Sequence, residues 1–228
     1  MTSTETSTGS QDYLSATAFM DFDHPAVKAF ALDHGKGESD RERAVSLYYA
    51  VRDGFRYDPY QFDVSVAGLR ASTVLAQGHG WCVNKAVLLA AVCRAVGIPA
   101  RLGFADVRNH LSTERMRQSM DTDVFFYHGY TDILVDGEWR KATPAFNVEL
   151  CDKFGLFPLE FDGVSDSIYH SFDKSGQRHM EYIRFRGEFA DVPLQDILDT
   201  FDREYPGMMQ SMESADFAED VAAETGRV

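Results

Sequence analysis

Gly78-His79-Gly80-Trp81-Cys82 runs straight into Asn84-Lys85-Ala86-Val87-Leu88-Leu89-Ala90-Ala91-Val92-Cys93-Arg94, and Gly97 and Pro99 then stop the run. A flexible loop in front and a glycine and a proline behind bound a helix, and Cys82 falls in its first turn. Unpaired backbone N–H groups there carry partial positive charge, which favours a thiolate over a thiol. A nucleophile so placed constrains the rest of the chain, which must bring a base to it on a second rigid element.

The 228 residues suffice for one well-cored domain, and 44% hydrophobic with 25% charged residues is a globular composition. A net charge of −14 repels a phosphate backbone, so no nucleic acid is expected as partner. The longest apolar stretch, Val87 to Val92, is too short to span a bilayer. Met1-Thr2-Ser3-Thr4-Glu5 lacks the cationic start and apolar run of a signal peptide, so no membrane association and a cytoplasmic address are expected. Of three cysteines, Cys82 and Cys93 lie about 16 Å apart on one helix at ~1.5 Å per residue, too far to bridge. Cys93 continues the apolar stripe Ala86, Leu89, Ala90 and reads as core; Cys151 has no evident partner. His79 and Cys82 make two ligands, which close no metal site, so neither metal nor cofactor is expected.

Residues 1–12 are rich in Ser, Thr and Gly and read as a disordered N-terminus. Pro25 to Leu32 suits a short helix with proline at its start. Ser39-Asp40-Arg41-Glu42 has capping-box spacing, and Ala44, Leu47, Tyr48 and Val51 recur at helical period up to Gly54. Phe55 to Pro59 leaves that helix extended. After the Cys82 helix, Ala100 to Val107 reads as a strand. The polar connection Arg108 to Asp123 carries His110, Met116 and Met120 and has the size of a lid. Val124 to Val135 and Trp139 to Phe146 form a hairpin about Asp136-Gly137, with further strands expected at 157–161, 167–173 and 178–185. Helices first and antiparallel strands afterwards give an α+β fold, a helical N-terminal part packed on an antiparallel sheet. A single domain over 13–205 is expected, with a core at 39–147. Pro193 to Tyr205 suits an amphipathic helix on Leu194, Ile197, Leu198 and Phe201. From Glu188 onward eleven acidic residues face two basic ones, and 206–228 reads as an acidic, mobile tail.

The base is His128, on the strand that feeds the Asp136-Gly137 turn. An imidazole there can take the Cys82 proton and return it to a leaving amine. With Val135 facing Glu138, counting back puts Ala145 opposite His128 and makes Thr143 and Asn147 its diagonal neighbours on one face. Either is a candidate third member that accepts from the imidazole and fixes its tautomer.

Gly80-Trp81-Cys82, the Gly97-Ile98-Pro99-Ala100-Arg101 ending of its helix, the Glu42 to Tyr57 helix and exit, and His128 leading to Gly137-Glu138-Trp139-Arg140-Lys141-Ala142-Thr143-Pro144 together resemble the transglutaminase-like family of papain-related cysteine enzymes. The resemblance covers about residues 39–147. It implies a papain/transglutaminase-like core and acyl transfer through a thioester on Cys82, with peptide or protein amides as substrates and an amine as a further acceptor. Family members commonly carry Asp just before the proline of the second strand, where this chain has Thr143; a threonine supplies no full negative charge to an imidazolium, so the resemblance implies either Asn147 as a substitute or weak catalysis. The backbone N–H of Cys82, with Gln77 as a second donor, would receive the oxyanion. The expectation from a different class is a catalytically silent interaction module on the same fold.

Overall fold

A computed structural model describes residues 12–109, 112–168, 172–206 and 215–226. α1 (Pro25–His34) has proline at its first position, as the sequence requires. α2 (Asp40–Gly54) opens on a complete capping box: Ser39 Oγ accepts from the Glu42 N–H at 3.2 Å, and the Glu42 carboxylate accepts from the Ser39 N–H at 3.1 Å. Its buried face is the periodic set Ala44, Leu47, Tyr48 and Val51. The extended exit of α2 is β1 (Arg56–Tyr57). It pairs in parallel with β2 (His79–Gly80), which follows α3 (Ala71–Gln77) and immediately precedes the nucleophile. That pairing ties the end of α2 to the start of α4 (Cys82–Ala95).

Every residue from Cys82 to Arg94 is buried, so α4 is the central helix and its polar side chains must find partners inside the protein. Lys85 is fully buried and donates to the carbonyls of Arg52 and Phe55 at 2.8 and 2.6 Å, capping the end of α2; burial lowers its pKa to about 7. Arg94 donates to the carbonyls of Ala100, Ser15 and Ala190 at 2.7 to 2.8 Å, gathering three distant segments at the far end of the helix.

α4 packs against an antiparallel sheet of order β5-β4-β3-β6, formed by β3 (Ala100–Asn109), β4 (Val124–Val135), β5 (Glu138–Ala142) and β6 (Met180–Phe189). The α+β architecture expected from the sequence is the observed one. Val135 pairs with Glu138, and Asp136 and Gly137 both have positive φ, 51° and 83°, as a two-residue Asp-Gly hairpin demands. α5 (Glu114–Met120) lies in the long connection between β3 and β4, and α6 (Val148–Phe154) follows the hairpin.

The return strand is shorter than expected and ends at Ala142. There the backbone leaves β4 and turns to residue 167: Ala142 bridges Ser167, and the Thr143 N–H donates to the Ser167 carbonyl at 3.1 Å. Residues 157–161 are not a strand, because the Leu159 carbonyl is taken by the Tyr48 hydroxyl and the Arg52 guanidinium at 2.9 and 2.6 Å rather than by a neighbouring ladder. Of 167–173, the described residues make only isolated bridges at Ser167 and Phe172, and the expected 178–185 strand runs instead from 180 to 189.

α7 (Leu194–Glu204) matches the amphipathic segment of the sequence. Within the stretch read as a mobile tail, α8 (Phe217–Thr225) is a docked helix: Phe217 packs on the rings of Tyr57 and Tyr60, and Asp220 accepts from Arg115 and the Tyr60 hydroxyl at 2.6 and 2.8 Å. Charge density hid a short apolar face, Phe217 and Val221, that periodicity alone could have found.

The tightest approach between sheet and helix is at Gly129, where a Cβ would meet the Val83 Cα at 3.1 Å. Backbone on one side and a buried helix on the other leave nothing flexible to yield. Gly129→Ala is therefore expected to destabilise the fold by about 1–3 kcal/mol, read as a lower urea midpoint; a midpoint equal to the parent's would show that the contact is not tight.

Candidate active site

The loop before the nucleophile is shaped by its glycines. Gly78 ends α3 at φ 72°, and at Gly80 a Cβ would meet the Asn84 Cβ at 2.8 Å, so the chain can bend under the first turn of α4 only without a side chain there. Trp81 is extended and caps the helix, which puts Cys82 at its first position, as the sequence indicates. Cys82 is 7% exposed. Its sulfur faces the N–H groups of Gly129 and Val83, which favour the thiolate, but burial outweighs them and pushes the thiol up to about 11. The expectation of a thiolate promoted by the helix terminus is reversed here.

His128 lies on β4 opposite Ala105 and is 4% exposed. Burial, with a smaller contribution from nearby His179, pushes its pKa down to about 4. Thiol and imidazole are thus both neutral at pH 7, a general-base arrangement rather than a standing ion pair.

A bulge aims this histidine. Between the pairs His128/Ala105 and Phe125/Val107, β4 spends one residue more than β3, and Tyr127 sits at φ 55°, a region that bulky side chains rarely enter. Asp106 holds the bulge: its carboxylate accepts from the Tyr127 N–H at 3.3 Å and from Arg186 Nε at 2.6 Å, while the Arg186 guanidinium lies 4.2 Å from the centre of the Tyr127 ring. Nothing in Phe126-Tyr127-His128 signals a bulge, because the residue types favour regular strand.

Cys82 and His128 line one pocket with Tyr57, Phe62, Trp81 and Phe125. Met116 and Met120 of α5 and Phe201 and Tyr205 at the end of α7 close it over, leaving about 30 Å³ of free volume, room for a water or two. The Tyr205 hydroxyl donates to the Val124 carbonyl at 3.0 Å and accepts from the Phe126 N–H at 2.7 Å, pinning the cover to the strand that carries His128. The connection expected to overhang the thiol does so through α5; His110 lies outside the described residues.

The other sequence candidates are not among the residues that line this pocket. Asn147 precedes α6, and its Oδ1 accepts from the Tyr57 N–H at 3.2 Å, so it holds the pocket wall. Thr143 is buried, its carbonyl accepts from the Tyr48 hydroxyl at 3.1 Å, and its hydroxyl has no hydrogen-bond partner among the described residues. The hairpin register was read correctly as far as Ala142, but the diagonal argument needs a strand that continues past it. Gln77 lines a separate polar pocket with His79 and Asn84. Cys93 and Cys151 are buried free thiols, both pushed up to about 12 by burial. Among the described residues no three His, Cys, Asp or Glu side chains converge as metal ligands would.

A cysteine at the start of a buried helix and a histidine on the adjoining antiparallel strand characterise this α+β protein. The sequence matches the profile of the transglutaminase-like superfamily over residues 28–144, half of its length, and the chain belongs to that superfamily of cysteine-type acyl-transfer enzymes and peptidases. Among solved structures it is similar to a candidate cysteine protease from Cytophaga hutchinsonii, at 18% identity and a TM-score of 0.47, over 59% of this chain and 41% of that one. A candidate protease from Parabacteroides distasonis follows at 18% identity and 0.37, over 55% and 26%, and red sea bream transglutaminase at 17% and 0.36, over 92% and 41%. The chain thus spans about two fifths of the first of these or less. No curated protein matches the sequence. No helix among the described residues is long and apolar enough to cross a membrane.

Because the folded-state pKa of His128 lies below its ordinary 6.5, the unfolded chain binds that proton first as the pH drops. The stability it confers is complete above about pH 6.5 and is lost as the pH falls toward 4. Urea midpoints measured across that window should fall less steeply in His128→Gln than in the parent; parallel curves would contradict the burial argument.

Proposed function

We propose that the protein is a cysteine-dependent acyl-transfer enzyme acting on amide bonds, with Cys82 as nucleophile and His128 as base. The observation that carries this reading is that the two side chains line one pocket while the Cys82 sulfur meets the backbone N–H of Gly129, the residue after His128. His128 takes the thiol proton as sulfur attacks the amide carbonyl, the amine leaves with that proton, and water or an amine resolves the thioester. The backbone N–H groups at the start of α4 are positioned to receive the oxyanion. The reading takes 13–205 as one catalytic domain and peptide or protein amides as substrates. It treats Asn147 as a residue that positions Tyr57 at the pocket wall.

The small pocket and the neutral thiol favour a second reading, a catalytically silent module. Alkylation separates the two. In both, iodoacetamide should label Cys82 slowly at pH 7 and faster as the pH rises toward 11. Only in an enzyme should a peptidyl chloromethyl ketone label Cys82 rapidly at neutral pH, at a rate that His128→Ala lowers; equal rates in parent and variant would leave the silent module.

Turnover of a panel of peptide amides, with and without a primary amine, should be abolished in Cys82→Ala and should lose its acidic limb in His128→Ala, by about a hundredfold or more. Asn147→Ala should raise KM more than it lowers kcat. A sharp loss of kcat alone in Asn147→Ala would make Asn147 a true third member.

A further inference from the structure

A second pocket, larger and more polar than the one over the thiol, lies on the other side of the Phe62–Trp81 pair, whose ring centres are 4.8 Å apart. It has about 310 Å³ of free volume, within the range of small-molecule sites. Its floor is the first turn of α4. Cys82 and Asn84 are two positions apart there, roughly 200° around the helix, so they face opposite sides. Phe62 borders both pockets.

Asn84 is 5% exposed, and its Nδ2 donates to the Gly68 carbonyl at 2.8 Å. That bond fixes the amide, because the reverse orientation would set oxygen against oxygen. Its Oδ1 is thereby presented as a pure acceptor, and it has no hydrogen-bond partner among the described residues. A buried acceptor left unpaired costs about 1–3 kcal/mol in general, so the site asks for a donor. Gly68 also backs the carboxylate of Asp63, which leaves no space for a Cβ there. One backbone unit thus holds an amide acceptor and a negative charge side by side. His79 adds a buried Nδ1 without a partner among the described residues, Gln77 adds a further amide, and no Lys or Arg lines the pocket.

We propose that this pocket binds a small primary ammonium compound carrying a second O–H or N–H donor. The ammonium sits on the Asp63 carboxylate with the Phe62 ring beside it, and the second donor satisfies Asn84 Oδ1. An anion is excluded by Asp63, and the net charge of −14 raises the local concentration of cations. The site is distinct from the pocket at Cys82, with which it shares only Phe62.

Ethanolamine and ethylene glycol, which differ in one ammonium group, test this on the full chain at pH 7 and low salt, followed by backbone amide NMR. Ethanolamine should give saturable shifts at Gly68, Gly80 and Asn84 with millimolar affinity, ethylene glycol none, and Asp63→Asn should weaken ethanolamine binding about tenfold or more. Cys82→Ala should bind ethanolamine as the parent does, so a dead nucleophile and an absent site are distinguishable. The proposal is overturned by shifts that do not saturate, which would mean that ordered water alone satisfies Asn84, by equal binding of ethylene glycol, which would mark a neutral hydroxyl site, or by unchanged affinity in Asp63→Asn, which would mean that the carboxylate does not hold the ammonium.

Discussion

The contact between Gly129 and the first turn of α4 is the constraint on which the rest depends. A strand can bring its histidine to a helix terminus only if its backbone lies against that helix, and a single Cβ at Gly129 would hold the two apart. The helix in turn can serve as a fixed reference only because it is buried along its length and tied at both ends, by Lys85 to the carbonyls that close α2 and by Arg94 to three carbonyls beyond. The parallel bridge of Arg56–Tyr57 to His79–Gly80 completes the frame by fixing the loop that delivers Cys82. The juxtaposition of Cys82 and His128 is a consequence of core packing.

That closeness also sets the electrostatics. Burial raises the thiol from 9.0 to about 11, a net effect of roughly 3 kcal/mol, whereas a helix terminus ordinarily supplies ~0.3–1 kcal/mol in the other direction. Desolvation therefore wins, and it wins again at His128, where the neighbouring His179 adds to it. The resting pocket stores a neutral pair. Any solvent or polar substrate atom that enters changes the dielectric around both groups at once, so admission and activation are one event.

Local signals in the sequence were legible where a residue type has one structural use. Ser39 and Glu42 cap a helix, Asp136-Gly137 makes a two-residue hairpin, and Gly97 with Pro99 stops α4; each does so in the structure. The site was legible as far as Cys82 and His128 sharing a pocket. What stayed hidden depends on contacts distant in sequence. The end of β5 at Ala142 is decided by Ser167, the bulge at Tyr127 by Asp106 and Arg186, and the irregular path at Leu159 by Tyr48 and Arg52. The count that set Thr143 and Asn147 beside His128 has no ladder to rest on past Ala142: a register count is sound only while the ladder continues, and nothing within the hairpin tells where it stops.

The match to the superfamily ends at residue 144, yet Phe201 and Tyr205, which roof the thiol, and Phe217, which buttresses Tyr57 from behind, all come later. The matched segment carries Cys82 and His128, and the later one completes the walls of their pocket. The pocket's cover and its two facing groups thus lie on separate stretches of chain, so the space above Cys82 and His128 can be reshaped from Phe201 and Tyr205 without altering either of them.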